Sequence, residues 1–422
     1  MRIVLGASAM HGFTPAQVAQ ICSAAWRDVR PADEIISYIL SDGDPMPLVG
    51  TGLESVVQSR FPDVSEIELP GSRGERLWMM DDARRVVLDL ASGSVWHGVR
   101  SNTGSEGNDA SCDTNNPWGS SARFSTAMHA ACDLVANGAR EVLVHLPQMA
   151  YTSDLGIGML EAYSGRQIID SGVAHAPVAD TFMAEKLIQS ELTAAISELK
   201  SDLSGTSLRV TYPYSLALLG FSGMAYSWIN RGVLPAKAQA YERIAGAWAA
   251  QIVQAGNSVR TSLLGGDAVS AVSAYSGVGG GLGLLFDALG ASFTDLGGWL
   301  LSDVNLESLG MDRLADVAAA CDLMVYACGP IAVDMPGGLH AFAQVGEDVG
   351  VPVVVMAQTS GLRKGELPNL GLAAAYDVYP HEAFDDLDNA TIADSLDAAE
   401  LKRREHDIAR QVMHIAQTWG WD

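Results

Sequence analysis

The chain has 422 residues, enough for two domains and room for a third. Hydrophobic residues make up 48% and charged residues 18%, so a large core is easily made. The formal net charge of -24 sets nucleic acid and anionic membranes aside as partners, because their phosphates would be repelled.

In chain order, Met1-Arg2 runs directly into Ile3-Val-Leu-Gly-Ala7, with no signal peptide or spanning segment in view. That apolar run ends in small residues and reads as the buried first strand of a parallel sheet. Thr14 followed by Pro15 predicts an N-cap and first helical residue, and the helix runs to about Val29. Ile35 to Leu40 is a second strand, and a third helix-and-strand unit covers Thr51 to Leu69. This rhythm predicts an open α/β sheet whose ligands sit at the carboxyl ends of its strands. His11, Asp42 and Asp44 all fall at such ends.

Pro70 to Gly74 marks a boundary, after which the pattern changes. Arg85 to Ala91 is a strand, residues 100–121 a long polar loop, and Ser125 to Asn137 an amphipathic helix ending at Gly138. Glu141 to Leu146 is a buried strand, and His145 within it reads as a satisfied core histidine. A glycine-punctuated loop from Pro147 to Leu160 enters a further helix. Leu208 begins another strand, and Ala236 to Ala255 is a long helix. After position 300 the doubly wound pattern returns. Val304 to Ala320 is largely helical and Leu339 to Val349 a helix, Asp322 to Gly329 is a strand and turn, and Val351 to Ala357 is a strand with no polar alternation. Asp385 to Asp388 is an acidic surface patch, and the last helix, Leu396 to Trp419, turns Ile408, Val412 and Ile415 inward.

The densest signal is Ser276 to Gly283, where five of eight residues are glycine and an apolar run (Leu284, Leu285, Phe286, Leu289) follows. Glycine removes the Cβ that would block a close ligand, and unpaired N–H groups at a helix entry suit an anion. The spacing is neither Gly-x-Gly-x-x-Gly nor a Gly-Lys-Ser/Thr loop, so tight packing against a strand stands beside a ligand role. Five cysteines (22, 112, 132, 321 and 328) form no Cys-x-x-Cys pair and read as reduced, mostly buried thiols of a cytoplasmic protein. Five lysines occur, none in the first 185 residues, so arginine or metal would have to supply most of the charge for a phosphoryl ligand.

Several segments in order resemble the bacterial glycerate kinase family over essentially the full length. Ser41-Asp-Gly43 resembles its Ala-Asp-Gly-Gly-Glu-Gly segment, and Thr152-Ser-Asp-Leu-Gly-Ile-Gly-Met-Leu160 its Thr-Asn-Asp-Gly-Gly-Ala-Gly-Met-Leu. Ser120-Ser121 through Val144, Gly279-Gly-Gly-Leu-Gly283, Cys321 to Val325 and Gly350 to Val355 match in turn. The resemblance implies an α/β fold of two domains. One is a discontinuous flavodoxin-like (Rossmann-like) three-layer domain, residues 1–72 and 285–422, and the other an inserted mixed α/β domain, residues 73–284. It implies ATP- and Mg²⁺-dependent phosphorylation of D-glycerate in an inter-domain cleft, with a small hydroxy acid and a nucleotide as partners and a homodimer left open.

Carried over residue by residue, Asp154, His11 and Asp42 are the catalytic candidates, with Asp154 and Asp42 also the metal candidates. Thr152, Arg231, Gly277, Gly279, Gly280 and Gly281 are the candidates for substrate or phosphate binding. Without the resemblance, Asp154 reads equally as a helix cap and Asp42 with Asp44 as an acidic turn. The chain also departs from the family. Ser8 and His11 stand where the family has Asp and Lys, Arg231 stands near a family Lys, and Ala327-Cys-Gly-Pro-Ile-Ala332 replaces Gly-Glu-Gly-Arg-x-Asp. These losses keep two alternatives open: a member that binds a small molecule or protein without turnover, and a different chemistry on the same scaffold.

Overall fold

The computed structural model describes residues 1–10, 12–44, 49–61, 63–72, 74–80, 83–92, 120–147, 154–170, 186–230, 234–260, 268–308, 310–331, 335–379 and 397–420. Two compact units divide the chain: Met1–Val64 with Asp295–Asp422, and Ser65–Thr294.

The first unit opens with β1 (Arg2–Ala7), α1 (Pro15–Val29), β2 (Glu34–Ile39) and α2 (Leu53–Arg60). Helix α1 starts where Thr14 and Gln17 cap each other. The Gln17 N–H donates to Thr14 Oγ1 at 3.3 Å and the Thr14 N–H to Gln17 Oε1 at 2.9 Å. Pro15 occupies the first turn, where its missing N–H costs nothing.

The second unit then supplies β3 (Ser65–Ile67), β4 (Arg76–Met80), β5 (Arg85–Asp89), α3 (Ser125–Ala136), β6 (Glu141–His145) and α4 (Ile157–Ser164). It continues with the short pair β7 (Ile169–Asp170) and β8 (Lys186–Leu187), then α5 (Gln189–Asp202) and β9 (Ser207–Tyr212). It closes with α6 (Met224–Asn230), α7 (Pro235–Val259), α8 (Leu282–Leu289) and β10 (Ser292–Asp295). The first unit resumes with α9 (Leu296–Leu300), α10 (Asp303–Ser308), α11 (Leu314–Ala318), β11 (Leu323–Cys328), α12 (Gly337–Val349), β12 (Val353–Ala357), β13 (Ala374–Asp377) and α13 (Ala398–Trp419).

The first sheet runs β13-β12-β11-β1-β2 and its pairs are all parallel. Every residue of β11 and β12 is buried, as strands covered on both faces require. Val18 and Cys22 of α1 and Ile408, Val412 and Ile415 of α13 pack with Ile3, Leu5 and Val325 on one face. The alternate residues point to α12. A side chain at Gly6 would meet the Phe342 and Tyr326 rings at 2.7 Å, so β1 comes this close to α12 only as glycine. The strand order reverses between β1 and β11, the position at which doubly wound sheets open a ligand crevice beyond their carboxyl ends.

The second sheet runs β10-β9-β6-β5-β4-β3, with β5, β6 and β9 parallel and β3, β4 and β5 antiparallel. Its core gathers apolar residues of α3, α4, α5, α7 and α8 around the sheet. His145 is fully buried there, its Nδ1 3.1 Å from Thr211 Oγ1, a satisfied core histidine as its sequence setting suggested.

One expectation fails in detail. The segment Thr51 to Leu69 does not add a third strand to the first sheet. Its strand β3 pairs antiparallel with β4 in the second. Ser-Glu-Ile is too short and too polar for a strand buried on both faces, and both Ser65 and Glu66 are exposed. The stretch Val304 to Ala320, expected to be largely helical, holds two short helices parted at Gly310, which sits at φ +63°.

Candidate functional site

At the carboxyl edge of the first sheet, Asp42 follows β2 and is half-buried. The Tyr326 hydroxyl, from β11, donates to Asp42 Oδ1 at 2.5 Å. The Asp42 N–H donates to Ser8 Oγ, beyond the end of β1, at 3.0 Å. Burial raises the Asp42 carboxyl to about 6. Hydrogen bonds from Tyr326 and Ser8 pull against that rise, and the charge of Asp295 adds to it. Asp295 caps α9 through the Gly298 N–H at 2.6 Å. It also lies so close to the first residue of α12 that a Cβ at Gly337 would overlap its carboxylate. Burial pushes Cys328, fully enclosed at the end of β11, well above a thiol's ordinary value, with the charges of Asp42 and Asp377 adding to the effect. Burial also raises Asp377.

In the second unit the elements around Asp154 close on one another. Asp154 is 6% exposed, at the turn between β6 and α4. Its Oδ2 accepts the Ser120 hydroxyl at 3.0 Å and the Ser121 N–H at 2.8 Å, and its Oδ1 accepts the Gly156 N–H at 3.1 Å. The Ser121 hydroxyl in turn accepts the Met159 N–H at 2.8 Å. Burial, and then the Asp154 charge, raises the Tyr241 phenol of α7 well above its ordinary value.

The glycine turn lies directly behind. Gly279, Gly280 and Gly281 all have positive φ, and the turn is buried throughout. A side chain at Gly281 would collide with Leu155, next to Asp154, and one at Gly277 would meet the Ala217 carbonyl at 2.6 Å. The N–H groups of Gly277, Gly279 and Gly281 donate to Leu216, Pro147 and Gly277 carbonyls at 2.8, 2.8 and 3.1 Å. Close packing thus accounts for these three glycines in the structure, and the turn buttresses the Asp154 segment.

Of the sequence-derived candidates, Asp154 and the four glycines meet in the second unit, while Asp42 belongs to the first. His11, Thr152 and Arg231 lie outside the described residues, as do Cys112, most of the polar stretch 100–121 and the acidic patch 385–388. Cys22, Cys132, Cys321 and Cys328 are buried free thiols. Ser8, Ser120, Tyr326 and Asp295 were not among the site candidates read from sequence, although Ser8 and Ser120 fall in segments that carry the family resemblance. A tyrosine inside the aliphatic run of β11 and the Ser-Ser pair before α3 were the available signals. Among the described residues no helix is long and apolar enough to cross a membrane, and no three His, Cys, Asp or Glu side chains group as a metal cluster.

A parallel, doubly wound sheet with an acidic carboxyl edge, joined in one chain to a second α/β unit, defines a two-unit α/β protein. Residues 7–413 match the model of the glycerate kinase family, and the chain belongs to that family. A crystal structure of "putative glycerate kinase 2" from Salmonella typhimurium LT2 shares the fold. Its TM-score is 0.58 over 99% of this chain and 98% of that one, at 18% identity. No curated protein matches the sequence.

Proposed function

We propose that this protein is a cytoplasmic phosphotransferase that moves the γ-phosphoryl group of ATP to a hydroxyl of D-glycerate. Family membership over residues 7–413 is the observation that carries this reading. Magnesium, when bound, would screen the phosphate charge and orient it. Magnesium is commonly held by one or two carboxylates together with phosphate oxygens. Asp42 fits that role, because it is half-buried and its ionised form is disfavoured by burial, so a cation would relieve it. Asp154 fits it less well, since three donors already occupy its oxygens. On this reading Asp42 holds the ion and Asp154 serves the organic acid.

A second reading has its own support. Where the family carries Glu-Gly-Arg, this chain has Cys328-Gly-Pro330. The Cys328 thiol is fully buried and its pKa is raised, so it supplies no charge. A member lacking those charges would bind a small molecule without transferring phosphate. A coupled assay of ADP release with ATP, Mg²⁺ and D-glycerate separates the two, run beside a thermal-shift screen of nucleotides and hydroxy acids. Glycerate-dependent ADP release establishes the kinase. A thermal shift with no release rejects it in favour of the binding protein.

A further inference from the structure

Ser120 is the exposed member of a hydrogen-bonded pair whose other member, Asp154, is buried. A serine hydroxyl has one proton and two lone pairs. The proton goes to Asp154 Oδ2, at 3.0 Å, because an ionised carboxylate can only accept. One lone pair takes the Ala122 N–H at 3.2 Å. The second lone pair has no partner among the described residues and sits on an exposed side chain.

The surroundings hold this arrangement in place. The Ser121 and Gly156 N–H groups anchor the carboxylate from behind. Leu155 is one of two non-glycine residues with positive φ among those described, at +50°. Gly281 packs against it at a separation no other residue would allow. Backbone strain that the surroundings enforce beside a buried acid accompanies functional geometry. Gly158 completes the enclosure, since a Cβ there would lie 2.2 Å from Ser120 Oγ and 2.5 Å from Asp154 Oδ2. The sequence thus keeps glycine at the one point of α4 where any side chain would push the hydroxyl away.

We propose that Ser120 recognises the alcohol group of the organic-acid ligand, and that Asp154 is a positioning residue that acts through it. A hydroxyl whose proton is already committed is a pure acceptor. It takes a hydrogen bond from an alcohol and gains nothing from a carboxylate or a phosphate, which have few or no protons to offer at neutral pH. A site built this way rejects an acid of similar shape that lacks the hydroxyl. The assignment rests on the hydroxy-acid reading above, but not on phosphate transfer.

The test is calorimetric titration of the full chain with D-glycerate and, separately, with propionate, which keeps the carboxylate and has no hydroxyl. The wild type is expected to prefer D-glycerate. Ser120→Ala should lose about tenfold in affinity for D-glycerate and leave propionate unchanged, the size expected for one hydrogen bond. Ser120→Thr should restore the preference, and Asp154→Asn should weaken it. Gly158→Ala, in which both polar groups remain but the new Cβ crowds the hydroxyl and the carboxylate alike, should reproduce the Ser120→Ala loss, and it decides the matter if Ser120→Ala does not fold. A Ser120→Ala protein that keeps wild-type affinity for D-glycerate, or loses both acids alike, overturns the assignment. So does a wild type that binds neither acid or fails to distinguish them. Because turnover is not read, absence of ADP release would reject the kinase while leaving this result standing.

Discussion

At Asp42, burial and hydrogen bonding oppose each other. Burial lifts the carboxyl from 3.8 to about 6 against the pull of Tyr326 and Ser8, and Asp295 adds its charge. The folded pKa is higher than the unfolded one, so the folded state binds the extra proton. The stability Asp42 contributes is therefore fully present below about pH 4 and is lost as pH rises through about 6. Asp42→Asn keeps an acceptor for Tyr326 and removes this loss. Its melting temperature should exceed that of the wild type at pH 8 and the difference should close by pH 4, whereas equal differences at both pH values would contradict the assignment. Tyr326→Phe deletes a bond that favours the ionised form, so the Asp42 titration followed by carboxyl NMR should move upward. None of this was legible from sequence, because Asp42 and Tyr326 are 284 positions apart. Asp154 and the glycines were legible as candidates, but the Asp154 partner Ser120 lies 34 positions away and came only as part of a matching segment.

At the scale of elements, the glycine turn and α8 form one packed piece. All eight residues of α8 are buried, and the turn before it meets Leu155 through Gly281. Gly281 has φ +96°, so Gly281→Ala suffers both backbone strain and overlap. Each effect is of order 1–3 kcal/mol, and chemical denaturation should show a loss of at least about 2 kcal/mol. Thr14→Ala breaks the reciprocal cap of α1 and should cost about 1 kcal/mol by the same measurement. That cap, and the unbroken apolar runs of β11 and β12, could be read from the chain because the signal is local and contiguous. The sheet that strand β3 joins could not. A strand was expected within Thr51–Leu69, but its three residues carry no signal of a partner in Leu77-Trp78-Met79-Met80. Which sheet a short strand joins is decided by packing at a distance, which no local pattern records.

For the whole molecule, the formal charge of -24 works against compaction. Raising salt from low ionic strength to about 0.15 M, where screening acts beyond about 8 Å, should therefore raise the melting temperature. A melting temperature unchanged by salt would show that the charges are already balanced by local pairing. The same acidity sharpens the functional question, because on the kinase reading a nucleotide would have to be met by cations the chain holds sparingly. The family relation was legible because segments along the whole chain kept their order, while the fate of the chemistry was not, since the resemblance keeps Asp42 and Asp154 but has Ser8, Cys328 and Pro330 where charged residues were expected. The most direct measurement is phosphorus NMR of the protein incubated with ATP, Mg²⁺ and D-glycerate. The account predicts a new phosphomonoester resonance growing in step with ADP, dependent on both protein and glycerate. A spectrum that shows ATP unchanged, with glycerate bound, would contradict it.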